Sequence, residues 1–169
     1  NIESIIRAVF ALQKTFHVLI VDDNSPDGTA SKVEQLQEEF SNRLFLEVRK
    51  KKSGLGTAYV HGFKWALNRD YEFIFEMDAD FSHNPADLER LHEACDSTEA
   101  QMAIGSRYVR GVNVVNWPLS RVLLSYFASV YVKIITGMKI YDATAGFICY
   151  RREVLEKINL NKIKFVGYA

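Results

Sequence analysis

This chain of 169 residues has little cysteine, little proline and no surplus of charge. Its two cysteines, Cys95 and Cys149, stand in dissimilar surroundings without metal-ligand spacing. They are read as free thiols of a reducing compartment, which excludes a disulfide framework and a structural zinc site. Twenty-one basic residues balance 21 acidic ones, so no net field favours nucleic acid as a partner. No apolar run is long enough to span a bilayer: the longest, Val122 to Thr136, carries Lys133 inside it. A signal-peptide pattern, an internal repeat and a low-complexity segment are all absent. No Gly-Lys-Ser/Thr follows the glycines at 54 and 56, which excludes a Walker-type phosphate loop.

What is present is a globular composition, 48% hydrophobic and 25% charged, in a length that suits one domain over residues 1–169. Residue 1 falls directly inside a helical pattern and the last residues lack a stop signal, so the chain is expected to be a piece of a longer one. Apolar spacing predicts helices over 2–14, 30–40, 56–68, 85–96 and 152–158. Short apolar runs predict strands at 18–21, 45–48, 73–77, 102–105 and 148–150. Strands alternating with helices argue an α/β fold with a mostly parallel sheet. A further helix after Trp117-Pro118 carries Val122, Leu123, Tyr126, Phe127, Val130, Tyr131, Ile134 and Ile135. Such a stripe is ordinarily core, and core packing is expected here over a membrane or lipid face.

The informative stretch is Phe73-Ile74-Phe75-Glu76-Met77-Asp78-Ala79-Asp80, where a strand-like run ends in two carboxylates at i and i+2. On an extended backbone both point to one side and can converge on a single hard cation such as Mg²⁺ or Mn²⁺. Asp22 and Asp23 follow one predicted strand, Asp78 and Asp80 another, and Arg107 a third. Ligands of α/β sheets bind beyond the carboxyl ends of strands, so these residues are expected to share one site. Ser25-Pro26-Asp27-Gly28 is turn chemistry, with Asp27 or Thr29 as a helix cap. Arg49-Lys50-Lys51-Lys52 before Gly54 is read as a solvated loop, although four cations can meet a phosphate. His83, beside Asn84-Pro85, is read as a structural loop residue in preference to a base.

Five strings occur in order: Val-Asp-Asp-Asn-Ser-Pro-Asp-Gly-Thr at 21–29, Gly-Leu-Gly-Thr-Ala-Tyr at 54–59, Met-Asp-Ala-Asp-Phe-Ser-His-Asn-Pro at 77–85, Gly-Ser-Arg-Tyr-Val at 105–109 and Asn-Trp-Pro-Leu-Ser-Arg at 116–121. Together they resemble the family 2 glycosyltransferases of GT-A type, most closely the dolichol- or polyprenol-phosphate mannosyltransferases. The resemblance implies a Rossmann-like three-layer sandwich with a mostly parallel central sheet. It implies inverting transfer of mannose from GDP-mannose to a polyprenyl phosphate, by an enzyme peripheral to the cytoplasmic face of a membrane. Asp23, with Val21 beside it, would contact the donor nucleotide. Asp78, Ala79 and Asp80 would meet the donor diphosphate, with Asp78 and Asp80 holding Mg²⁺ or Mn²⁺. Arg107 would read phosphate, Arg121 and Ser125 would receive the lipid phosphate, and Asp142, Thr144 and Gly146 would floor the sugar and acceptor pocket. Asp80, Arg107 and Arg121 are thereby the catalytic candidates.

The sequence departs from the family pattern at three places. Ser82 stands where some relatives carry a metal-binding glutamine, Tyr126 replaces a common arginine, and Ala143 and Ala145 replace proline and serine. Two alternatives stay open: a sibling transferase using a UDP-sugar or a non-lipid acceptor, and a receiver-type signalling domain with an acidic Mg²⁺ site. The receiver pattern needs a later Lys-Pro pair, which the sequence lacks.

Overall fold

The computed structural model describes residues 1–108, 119–138 and 140–163, with Arg121 described by its backbone alone. In chain order the elements are α1 (Ile2–Phe10), β1 (Val18–Asp22), α2 (Thr29–Glu39), β2 (Leu44–Val48), α3 (Leu55–Leu67), β3 (Phe73–Glu76), α4 (Asp87–Ser97), β4 (Met102–Ile104), α5 (Leu119–Thr136), β5 (Ile148–Arg151) and α6 (Arg152–Lys157). A 3-10 turn over Leu160–Lys162 follows. The expected helix over 2–14 ends early because the chain is pulled away to α4. The Lys14 backbone N–H donates to Glu89 Oε1 at 2.9 Å, and Leu12 and Phe16 leave the helix line to join the core beside α4.

The mostly parallel sheet is corrected. β1 and β2 form a parallel pair, Val18 opposite Leu44 through Asp22 opposite Val48. β3, β5 and β4 form a second sheet in that order, with β5 antiparallel to both neighbours. Periodicity reports that a strand is buried and carries no record of its direction, so the sequence pattern could not separate the two arrangements.

Both faces of the strands are covered, as their continuous apolar runs require. Val18 and Ile20 of β1 pack with Ile6, Val33, Leu36 and Leu44 under α1 and α2, while Leu19 and Val21 lie toward Gly62 of α3. In β3, Ile74 joins Phe63, Ala66 and Leu155 of α3 and α6; Phe73 and Phe75 join Val9, Leu88, Leu91 and Cys95 of α1 and α4. Cys95 and Cys149 are buried free thiols, as expected.

α5 overturns the core expectation. Of the stripe, Leu123, Tyr126, Phe127, Tyr131, Ile134 and Ile135 are exposed and Val122 and Val130 half-buried, while Leu119 and Leu124 are exposed too; among the described side chains of the helix the buried one is Ser129. The inward side carries two serines among valines and an alanine, and the serines meet a polar segment: Ser129 Oγ accepts from the Ala143 N–H at 3.3 Å and Ser125 Oγ lies 3.3 Å from Thr144 Oγ1.

Candidate active site

The direction of β5 explains where the site residues gather. An antiparallel strand presents its start where its parallel-running neighbours present their ends, and Ile148 is opposite both Glu76 and Ile104. The residues before β5, Asp142 to Phe147, therefore reach the same rim as the residues that follow β3 and β4.

At the exit of β1, buried Asp22 accepts from the Ser25 N–H at 2.9 Å and shapes the turn. Asp23 is free of that task and accepts from Arg49 Nε. The guanidinium also donates to Thr57 Oγ1 at 2.8 Å, and Thr57 in turn donates to the Gly54 carbonyl at 2.7 Å. Gly54 has φ +94°, a conformation that suits a residue without a side chain, and it caps α3. The Arg49 hydrogen bond holds the Asp23 carboxyl below the usual range, against the opposing pull of burial. Lys50, Lys51 and Lys52 are exposed as expected, whereas Arg49 is a clamp between β1 and α3.

At the exit of β3 each acid has its own donor. Glu76 accepts from Tyr150 Oη at 3.2 Å and Asp78 from Tyr59 Oη at 3.0 Å. Asp80 is exposed and accepts from the Ser82 N–H at 2.8 Å. Partial burial raises the Asp80 carboxyl, but hydrogen bonds from the Ser82 side chain and backbone outweigh it and hold the group low. Ser82 is thus a brace for Asp80. Ala79 lines an open cleft with Asn1, Ile2, Asp27, Thr29 and Lys32. The cap of α2 is Gly28, not Asp27 or Thr29 as expected; Asp27 Oδ1 instead accepts from the Thr29 N–H at 3.1 Å and shapes the turn before the helix.

Among the described residues no group of three or more His, Cys, Asp or Glu could hold a metal. Asp78 and Asp80 together offer two carboxylate donors. That set suits Mg²⁺ or Mn²⁺, which keep waters and substrate phosphates as their remaining ligands; it does not suit a closed zinc site.

Four of the candidate site residues form one network. Arg107, buried at 8% exposure, donates from Nε to Asp142 Oδ2 at 2.7 Å and from Nη2 to Asp142 Oδ1 at 2.6 Å. Its backbone N–H reaches Asp142 Oδ2 at 3.1 Å, and Nη2 also donates to Thr144 Oγ1 at 2.7 Å. Ser125 of α5 completes the chain through Thr144. Burial pushes the Asp142 carboxyl up, and the bonds from Arg107 more than reverse this, leaving it below the usual range. Gly146 is buried between Ala145 and Phe147, and the side chain of Val21 lies toward α3.

The two ends of the site are linked by α3. Thr57 in its first turn holds the Asp23–Arg49 pair, and Tyr59 holds Asp78. Sequence reasoning missed Tyr59 and Arg49 as positioning groups. Tyr59 ends the Gly-Leu-Gly-Thr-Ala-Tyr string, so the position was visible while its distant partner was not. The Arg121 side chain, Val109 and Asn116-Trp117-Pro118 lie outside the described residues.

Comparison with known proteins adds the following. The family described as Glycosyl transferase family 2 matches residues 1–159. Polyprenol monophosphomannose synthase of Mycolicibacterium smegmatis is 46% identical over 169 residues, all of this chain and 63% of that protein. Undecaprenyl-phosphate mannosyltransferase of Micrococcus luteus is 45% identical over 152 residues, 90% of this chain and 61% of that protein. Dolichol-phosphate mannosyltransferase of Pyrococcus furiosus is 37% identical over 152 residues, 89% of this chain and 42% of that protein. The chain thus spans less than two thirds of the length of these relatives.

Proposed function

The chain belongs to glycosyl transferase family 2, and from that premise we propose that the protein moves mannose from GDP-mannose to the phosphate of a polyprenyl lipid, with inversion, on a GT-A fold. The observation that carries this reading is the rim itself. Asp78 and Asp80 and the Arg107–Asp142–Thr144–Ser125 network both lie beyond the same end of β3 and β4, in a chain whose relatives are named for mannose transfer to such lipid phosphates.

The acceptor phosphate is already an anion at neutral pH, so little help from a base is needed; the work is positioning and charge control. Asp23, set by Arg49, faces the nucleotide end of the donor. Asp78 and Asp80 would hold Mg²⁺ or Mn²⁺, which supplies charge neutralisation to a departing diphosphate. Arg107 has its charge shared with Asp142, so its part is to fix the rim and present Thr144 beside Ser125. Arg121 would hold the attacking lipid phosphate.

α5 supports a membrane-facing placement. Its exposed side is apolar, and between Leu119 and Tyr141 the sequence holds Arg121, Lys133 and Lys139 without a single acid. Apolar bulk flanked by cations and tyrosines suits an anionic lipid surface, and no described helix is long and apolar enough to cross a membrane. The test is incubation with GDP-mannose, Mn²⁺ and a short polyprenyl phosphate, followed by release of GDP. Release with UDP-sugars only, or without the lipid, overturns the donor or the acceptor respectively.

A further inference from the structure

His83 has no part in the transfer described above, yet it sits at the junction of both halves of the rim. Its ring stacks on Phe147, with centroids 5.0 Å apart and planes 29° from parallel. Phe147 is 2% exposed and is itself locked: its carbonyl accepts from the Gly105 N–H at 2.8 Å, and a Cβ on Gly105 would fall 2.5 Å from its ring. Gly105 and Phe147 flank the Arg107–Asp142 pair in sequence, so Phe147 is part of the rigid side of the rim.

Between Met77 and Pro85, the loop that carries Asp78 and Asp80 runs over the surface, with Ala79, Asp80 and Phe81 exposed. It is braced internally by Ser82 on Asp80 and by Asn84 Oδ1 accepting the Ala86 N–H at 3.1 Å. Phe81 within it adopts φ +64°, a left-handed conformation uncommon for an aromatic residue. Internal braces fix the shape of a loop and leave its placement on the body undetermined. Met77 packs into the core at its start and Pro85 is buried at its end, and between them the Tyr59 bond to Asp78 lies on one side and the His83–Phe147 stack on the other.

We infer that His83 is a positioning residue, whose ring fixes the carboxylates of Asp78 and Asp80 in register with the Arg107–Asp142 pair by stacking on Phe147. The inference rests on the metal-dependent transferase reading of those carboxylates. It assigns the imidazole a role through its flat apolar face, which agrees with its surroundings. Burial favours the neutral ring, and the carboxylates of Asp78, Asp80 and Asp142 offset this only in part, with Arg107 acting in the same direction as burial.

The experiment compares wild type with His83→Ala, His83→Gln and His83→Phe, reading Mn²⁺ affinity in the presence of GDP by electron paramagnetic resonance and folding by thermal melts. His83→Phe keeps the ring and is expected to bind Mn²⁺ within about twofold of wild type, with an unchanged pH–rate profile. His83→Ala and His83→Gln are expected to lose about tenfold in Mn²⁺ affinity, the usual effect of removing a support behind metal ligands. The KM for lipid phosphate should stay constant in all three. If His83→Ala fails to fold, the comparison of His83→Phe with His83→Gln decides. Equal binding by all variants, recovery by glutamine but not phenylalanine, or loss of a limb of the pH profile in His83→Phe overturns the inference. Wild-type protein that binds no Mn²⁺ with GDP overturns instead the metal reading beneath it.

Discussion

Replacing Asp142 by alanine should be the most damaging single change on the rim. Asp142 is 1% exposed and accepts three hydrogen bonds from Arg107, at 2.6, 2.7 and 3.1 Å. Its removal takes from a buried guanidinium the carboxylate it pairs with, a loss of about 3–5 kcal/mol in comparable buried pairs. For a chain of this size each kcal/mol lowers Tm by about 2–4 °C, so the melt should fall by about 6–20 °C. Urea titration followed by far-ultraviolet circular dichroism measures it, with the denaturant slope unchanged. The double variant Arg107→Met with Asp142→Leu should recover most of the loss, because neither charge is then left buried alone. The reasoning also fixes a pH dependence. Because the Asp142 carboxyl titrates below its ordinary value in the folded state, its contribution is complete above the unfolded carboxyl pKa of about 3.9 and fades as pH falls through the lower folded value. The stability gap between wild type and Asp142→Asn should therefore be flat from about pH 7 to 5 and close below about pH 4. A loss under about 1 kcal/mol for Asp142→Ala, or a double variant as poor as the summed singles, would refute the pair as a buried unit.

Three further outcomes are expected. Tyr59→Phe removes the hydroxyl that reaches Asp78 and should weaken Mn²⁺–GDP binding about tenfold with little change in Tm; unaltered binding would remove α3 from the support of that carboxylate. Gly105→Ala drives a methyl group against the Phe147 ring and should destabilise by about 1–3 kcal/mol in urea titration, while a neutral result would mean that Phe147 can swing aside. Leu124→Glu with Ile134→Glu, both at positions 73% exposed, should leave folding stability within about 0.5 kcal/mol per site yet abolish sedimentation with anionic liposomes. A large loss of stability would instead show that the α5 face is covered in solution.

The sequence announced most elements and where the site lies, because both depend on local pattern. The exits of β1, β3 and β4 were marked by acids and an arginine directly after apolar runs, and strand-end chemistry is local. Relations between distant segments were not legible. Arg107 and Asp142 were assigned to different ligands, yet they bind each other across 35 positions; nothing in a string of residues shows which cation a carboxylate will meet. The direction of β5 escaped for the same reason. α5 misled for another: an apolar stripe at helical spacing says that a face avoids water without saying whether protein or lipid covers it. The serines on its inward line, Ser125 and Ser129, were the available signal.

β5 lies between β3 and β4, and neither of these is paired with the other. Glu76 meets its partner only at Ile148, and Ile104 meets the same residue. Closing such long loops carries an entropic cost that local helices do not face. On a ribosome, β3 and β4 emerge as solitary strands and must wait for β5, whereas β1 and β2 can pair as soon as both are made. Among the described residues, the half of the rim that carries Asp78, Asp80 and Arg107 is thus assembled later than the β1–β2 half. A nascent chain stopped before Ile148 should hold the Asp23–Arg49 clamp and lack the rest.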